Sequence, residues 1–230
     1  MSMPVKAGHL RMGERVMTIH TEDLLNSILD SLTRIQYIKP DDIPNIDLYM
    51  DQVTTFMDKR LRTTTRYPGD DKILTKTMIN NYAKNDLLPP PAKKKYSKEH
   101  MLLLIFIYYY KSILSINDIQ TLLKPITEKF FSVEEGFGLE DIYNEVFGME
   151  QEQVEIMKND VREKFRQAET TFDGAPEEDR EFLKRFSFIC LLSFDVYVKK
   201  LLIEKLVDDL RENGKNSDGQ NTGKGKEGKD

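Results

Sequence analysis

Residues 74–91 read LTKTMINNYAKNDLLPPP, a short helix held between a cap and a stop. Thr75 is a good N-cap, because its hydroxyl can accept a hydrogen bond from a free amide of the first turn. Pro89, Pro90 and Pro91 cannot continue a helix. Between them Ile79, Ala83 and Leu87 form one stripe, flanked by Tyr82. Thr77, Asn80, Asn81 and Lys84 fall at i, i+3, i+4 and i+7, on the opposite face. Hydroxyl, amide and ammonium groups side by side suit a base edge. Asn pairs bidentately with adenine, Lys reaches guanine or phosphate, and Thr touches a thymine methyl. A solvated amphipathic helix carries similar groups, so the neighbourhood must decide between the two readings.

Upstream, a helix is expected from about Asn45 or Asp47 to Leu61, with Ile46, Tyr49, Met50, Val53, Phe56 and Met57 as its stripe. RTTTRYPGDDK (62–72) then reads as a polar loop with a Pro-Gly turn. Downstream, residues 92–96 form a short basic link, with a small ribbon at 91–96 as the one candidate for β structure. Ser97 caps the helix MLLLIFIYYYK, and Ser115 caps a short helix expected to stop at Pro125. Charge is uneven. Residues 59–98 hold eleven basic and three acidic side chains, whereas residues 134–181 hold sixteen acidic and five basic ones. A basic block followed by an acidic one suits a polyanion-binding module joined to something else.

These strings resemble the winged helix-turn-helix of MerR-type transcription regulators. LTKTMINNYAKNDLLPPP is similar to their recognition helix and its exit. KKYSKEHMLLLIFIYYYKSILSINDIQTLL is similar to the helix pair after the wing, with Tyr96-Ser97 entering one helix and Ser115-Ile116 the next. DLYMDQV (47–53), INNY (79–82) and KKYSKEH (94–100) resemble an uncharacterised family, mainly of Gram-positive bacteria, catalogued only as a domain of unknown function with a MerR-like helix-turn-helix. The resemblance covers roughly residues 40–125, fades through 126–212 and is absent at both ends. It implies the fold and DNA binding, not a target or an effector. Three departures stand out. Asp86 occupies a place where MerR-type proteins usually keep Gly, which implies a different helix exit. PPAKKKYS leaves room only for a stunted wing. Residues 62–72 are an insertion between the two helices of the motif.

The remaining sequence is also helical by pattern. Thr21 can cap a helix to about Ile35, with Leu24, Leu25, Ile28, Leu32 and Ile35 at helical spacing. Ile142–Glu169 is periodic. Glu178–Arg211 is apolar on more than one face, as a central or interface helix would be. From Asn213 the chain turns to Gly, Lys, Asn, Asp and Ser and reads as a disordered tail. The expected organisation is an N-terminal segment with one helix (1–40), the helix-turn-helix (41–125), an acidic helical region (126–212) and the tail (213–230).

Several function classes find no support. One cysteine, Cys190, excludes an intramolecular disulfide and a Cys-rich metal site; in FICLL it reads as a small buried apolar residue. Three scattered His residues offer no metal constellation. The acidic pairs Asp41-Asp42 and Asp70-Asp71 lie on loops without a partner base. His100 suits either a phosphate contact or a packed structural position. Met101–Tyr110, the longest apolar run, is about half of what a membrane helix needs. No signal-like apolar stretch opens the chain. A cytoplasmic protein that is not an enzyme, needs no cofactor or metal and stays off the membrane is expected.

The expected fold is mostly α: a MerR-like helix-turn-helix with a stunted wing, then the acidic helical region. The expected function is sequence-specific binding of double-stranded DNA for transcription regulation, as a homodimer, with the effector unspecified. Thr77, Asn80, Asn81 and Lys84 would read bases. Arg60, Lys76, Lys93, Lys94 and Lys95 would hold phosphates. The alternative is a helical protein-interaction adaptor that keeps the fold without binding DNA.

Overall fold

The computed structural model describes residues 21–33, 38–67, 69–133 and 135–221. It is mostly helical. In order run α1 (Thr21–Thr33), β1 (Leu48–Tyr49), α2 (Met50–Leu61), α3 (Lys76–Lys84), β2 (Lys95–Tyr96), α4 (Lys98–Tyr110), α5 (Ile116–Phe130), α6 (Leu139–Gly148), α7 (Glu150–Glu169) and α8 (Glu177–Asn221). β1 and β2 pair antiparallel, Leu48 facing Tyr96 and Tyr49 facing Lys95. Among the described residues no helix is long and apolar enough to cross a membrane, and no group of side chains could hold a metal ion.

α4 is the axis of the larger core. Met101 to Ile107 are all buried, because α5, α6 and β2 pack around this helix and meet it on more than one face. Met57 and Leu61 of α2, Ile79 and Tyr82 of α3 and Tyr143 and Phe147 of α6 belong to the same core. The Tyr143 hydroxyl donates to the Ile38 carbonyl at 2.7 Å, and its ring meets Phe106 edge-on. This core therefore runs past Pro125, the expected end of the helix-turn-helix segment, and takes in α6. A second, smaller core joins Leu25 and Leu29 of α1 to Val161 and Ala168 of α7 and Phe188 of α8.

Some expectations need correction. Residues 45–49, expected to open α2, are not helical: Tyr49 lies in β1, and Ile46 and Tyr49 are exposed rather than part of a buried stripe. Pro125 does not stop α5, which continues to Phe130. The proline is exposed, where water can satisfy the carbonyl that its missing N–H leaves free. Ile142–Glu169 is two helices, broken between Gly148 and Glu150. Ile28 of α1 is exposed, while Leu29 is buried in its place. Cys190 is exposed, because it lies on a side of α8 that no described residue covers. The helix expected to end at Arg211 continues to Asn221, into the segment read as tail; residues 222–230 lie outside the described residues, as do 34–37.

Candidate nucleic-acid interface

α3 starts as its sequence dictates. Thr75 Oγ1 accepts from Met78 N at 3.2 Å, and Ile79 and Tyr82 turn inward. Thr77, Asn80, Asn81 and Lys84 all lie exposed on the outer face. Lys84 has no ion-pair partner among the described residues, so its charge is unspent. Asp86 takes φ +55°, the left-handed conformation that Gly would adopt. Leu87 N donates to Tyr82 O at 2.9 Å and Asp86 N to Ala83 O at 3.4 Å, the two bonds of a Schellman ending. Leu87 and Tyr82, the pair that packs across such an ending, are both buried. That hydrophobic contact is what holds a non-glycine residue at positive φ.

Residues 92–95, expected as a stunted wing, form a hairpin. Ala92 bridges Lys95, with Lys95 N donating to Ala92 O at 2.9 Å. The two residues of its tip, Lys93 at φ +51° and Lys94 at φ +65°, are both left-handed. Positive φ at both central residues marks a type I′ turn, which Asn-Gly fills without strain. Lysine fills it at a cost of about 1 kcal/mol for each residue. Both lysines are exposed and carry no ion pair among the described residues. Lys95 sits differently, its ammonium 5.2 Å from the centre of the Tyr49 ring across the strand pair.

The other two expected phosphate ligands are held by carboxylates of this chain. Lys76, at the start of α3, pairs with Asp51 in the first turn of α2. Arg60 lies 3.5 Å from Asp42 and also over the Phe56 ring. α2 contacts both α3 and the β1–β2 ribbon and so sets one relative to the other. The loop after α2 is pinned by Arg62, whose guanidinium pairs with Asp58 and donates to the Asp71 carbonyl at 2.8 Å. Tyr49 escaped the sequence reading of this region. Assigned to a buried stripe, it is exposed beside Lys95 and offers an aromatic face next to a cation. The alternation of Leu48 and Tyr49 just before a helix was the available signal.

His100 is a packed structural residue. Its Nδ1 accepts from Ser97 N at 3.0 Å at the start of α4, and its ring meets Tyr96 and Phe131 edge-on. Nε2 makes no hydrogen bond of good geometry, although the carbonyls of Pro90 and Pro89 favour a proton there. Burial outweighs them and holds the imidazole pKa below its ordinary value. At the other end of α4, Lys111 donates to the Ile73 carbonyl at 2.5 Å and sits over the Tyr108 ring, and burial lowers its pKa.

No curated protein and no solved structure matches the chain. Residues 38–146, which contain every residue of the candidate interface, match the model of a family described as a domain of unknown function (DUF1836).

Proposed function

We propose that this protein is a sequence-specific DNA-binding transcription regulator of MerR-like helix-turn-helix type, in which α3 reads bases and the 92–95 hairpin grips phosphates. The observation that carries the reading is the hairpin tip. Two lysines occupy left-handed positions where Asn-Gly would be less strained. Local strain kept at an exposed site points to a role for the side chains it presents. Lys93 and Lys94 offer two unpaired cations to a polyanion, and Lys95 stands behind them. Thr77, Asn80, Asn81 and Lys84 supply the base-directed groups on a short helix with a defined start and end. Helix-turn-helix modules of this kind read two half-sites as dimers, so a second copy belongs to the reading. One observation favours the adaptor reading instead. Lys76 and Arg60 are engaged by Asp51 and Asp42, which lowers the positive charge left around α3.

Binding to random and to selected duplex DNA, measured across salt concentrations, tests the proposal. Replacing Lys93-Lys94 by Asn-Gly removes strain and charge together. The variant should melt no lower than the parent yet bind every duplex more weakly, with a log–log salt slope smaller by about 0.9 for each phosphate it no longer neutralises. Asn80→Ala or Asn81→Ala should cost about 1–3 kcal/mol on the selected site and little on random DNA. Folded variants that change neither salt slope nor specificity would remove the DNA reading and leave the adaptor.

A further inference from the structure

α8 has three kinds of surface. Near its start Phe188, Leu191 and Leu192 pack on α7 and α1, and Asp195 holds Lys164 of α7 at 2.7 Å. Near its end Val207 is buried on the α5 side, and Arg211 bonds Asp118 of α5 at 2.7 Å. The third surface is apolar and open. Phe182, Phe186, Ile189, Phe194, Tyr197 and Leu201 are 68, 51, 53, 66, 63 and 41 % exposed. At 3.6 residues per turn they share one sector about 140° wide. Among the described residues nothing covers them, and Phe182 and Phe186 stack only on each other, at 6.4 Å.

We propose that this strip pairs antiparallel with the same strip of a second copy of this chain. The first argument is area. With full aromatic side chains offering 150–250 Å², these exposures sum to roughly 700 Å², close to the approximately 800 Å² per partner of a stable interface. The second is symmetry of spacing. The intervals along the strip are four, three, five, three and four residues, the same in either direction. A two-fold axis at the peptide between Leu191 and Leu192 therefore sets Phe182 against Leu201, Phe186 against Tyr197 and Ile189 against Phe194, which is the self-complementarity an isologous interface requires. The third is charge. Parallel pairing would stack the acidic start of the helix, Glu177, Glu178, Asp179 and Glu181, on its own copy. Antiparallel pairing about this axis keeps that start away from its own copy and sets Glu178 level with Lys205. The inference shares with the proposed function only the expectation of a homodimer, and its test uses no DNA, so either can fail without the other.

Sedimentation equilibrium of the full chain at tens of micromolar should show a dimer. Phe186→Asp with Ile189→Asp should weaken self-association by at least about 100-fold while the far-ultraviolet circular dichroism stays unchanged, since both side chains are exposed in the single chain. The axis also places Ser193 against Cys190 of the second copy. Ser193→Cys in the otherwise unaltered chain should therefore give a disulfide-linked dimer on mild oxidation, faster than the parent does through Cys190 alone. A parent chain that stays monomeric overturns the proposal and assigns the strip to another occupant, residues 1–20 being the first to delete. A parent that cross-links through Cys190 as fast as the variant overturns the antiparallel register.

Discussion

α4 and α8 carry the same sequence signal and meet different fates. Both are apolar on more than one face. In α4 that demand is met within the chain, and seven consecutive residues from Met101 to Ile107 are buried. In α8 it is met only in part. The reason is length. α4 has 13 residues and packs against helices of 15 and 10, whereas α8 has 45 and is longer than every helix it packs on. α7, with 20 residues, covers one stretch of it and α5, with 15, another. An all-round apolar pattern therefore states a need for partners without saying whether they belong to the same chain.

The contrast can be broken most directly at its centre. Leu104→Ala should cost about 2–5 kcal/mol in urea unfolding, whatever the protein concentration, because it leaves a cavity in a closed core. Leu201→Ala should cost far less, and its effect should grow with protein concentration if α8 is covered by a second copy. Equal, concentration-independent losses would erase the distinction between the two helices.

A smaller effect is expected where α8 is tied down. Asp118 accepts from Ser115 and from Arg211, bonds that hold its carboxyl below the usual range. Both partners of the ion pair are partly exposed, so Arg211→Ala should cost only about 1 kcal/mol. Faster amide exchange in the C-terminal part of α8, with α4 unchanged, would locate the loss. Asp86→Gly should act in the other direction. It relieves a left-handed aspartate and should stabilise the larger core by about 0.5–1 kcal/mol, read as a rise in melting temperature. A fall would mean that the Asp86 side chain makes a contribution of its own.

The weakest effect expected is a pH slope from His100. Its folded pKa lies below the unfolded 6.5, so the unfolded chain takes up the proton first as pH falls. Stability from this group is complete above pH 6.5 and declines as pH drops from there toward the lower folded value. His100→Gln keeps an acceptor for Ser97 N and should flatten that decline. An unchanged slope would assign it to other groups.

Much of this architecture was legible in residue types and spacing. Thr75 and Ser115 cap the helices they were expected to cap, Ile79 and Leu87 of the expected stripe and the flanking Tyr82 are buried with Ala83 half-buried, and the polar face of α3 is exposed. These are local properties, settled by hydrogen-bond geometry within one turn and by a helical period of about 3.6 residues. The DNA-directed roles of the lysines and asparagines stay a proposal, since the placement of an exposed side chain does not name its ligand.

Tertiary structure decided what depends on neighbours distant in sequence. Tyr49 left its expected helix because Lys95, far along the chain, pairs with it in a ribbon. Pro125 stayed inside α5 because its face is open to water. Asp86, Lys93 and Lys94 accept left-handed backbone because the Schellman ending and the hairpin around them over-determine their φ. Cys190 and the α8 strip are exposed because burial depends on which elements reach a helix face, and no period along the helix contains that information. The sequence by itself determined where helices start and which residues share a face; packing decided which faces are covered.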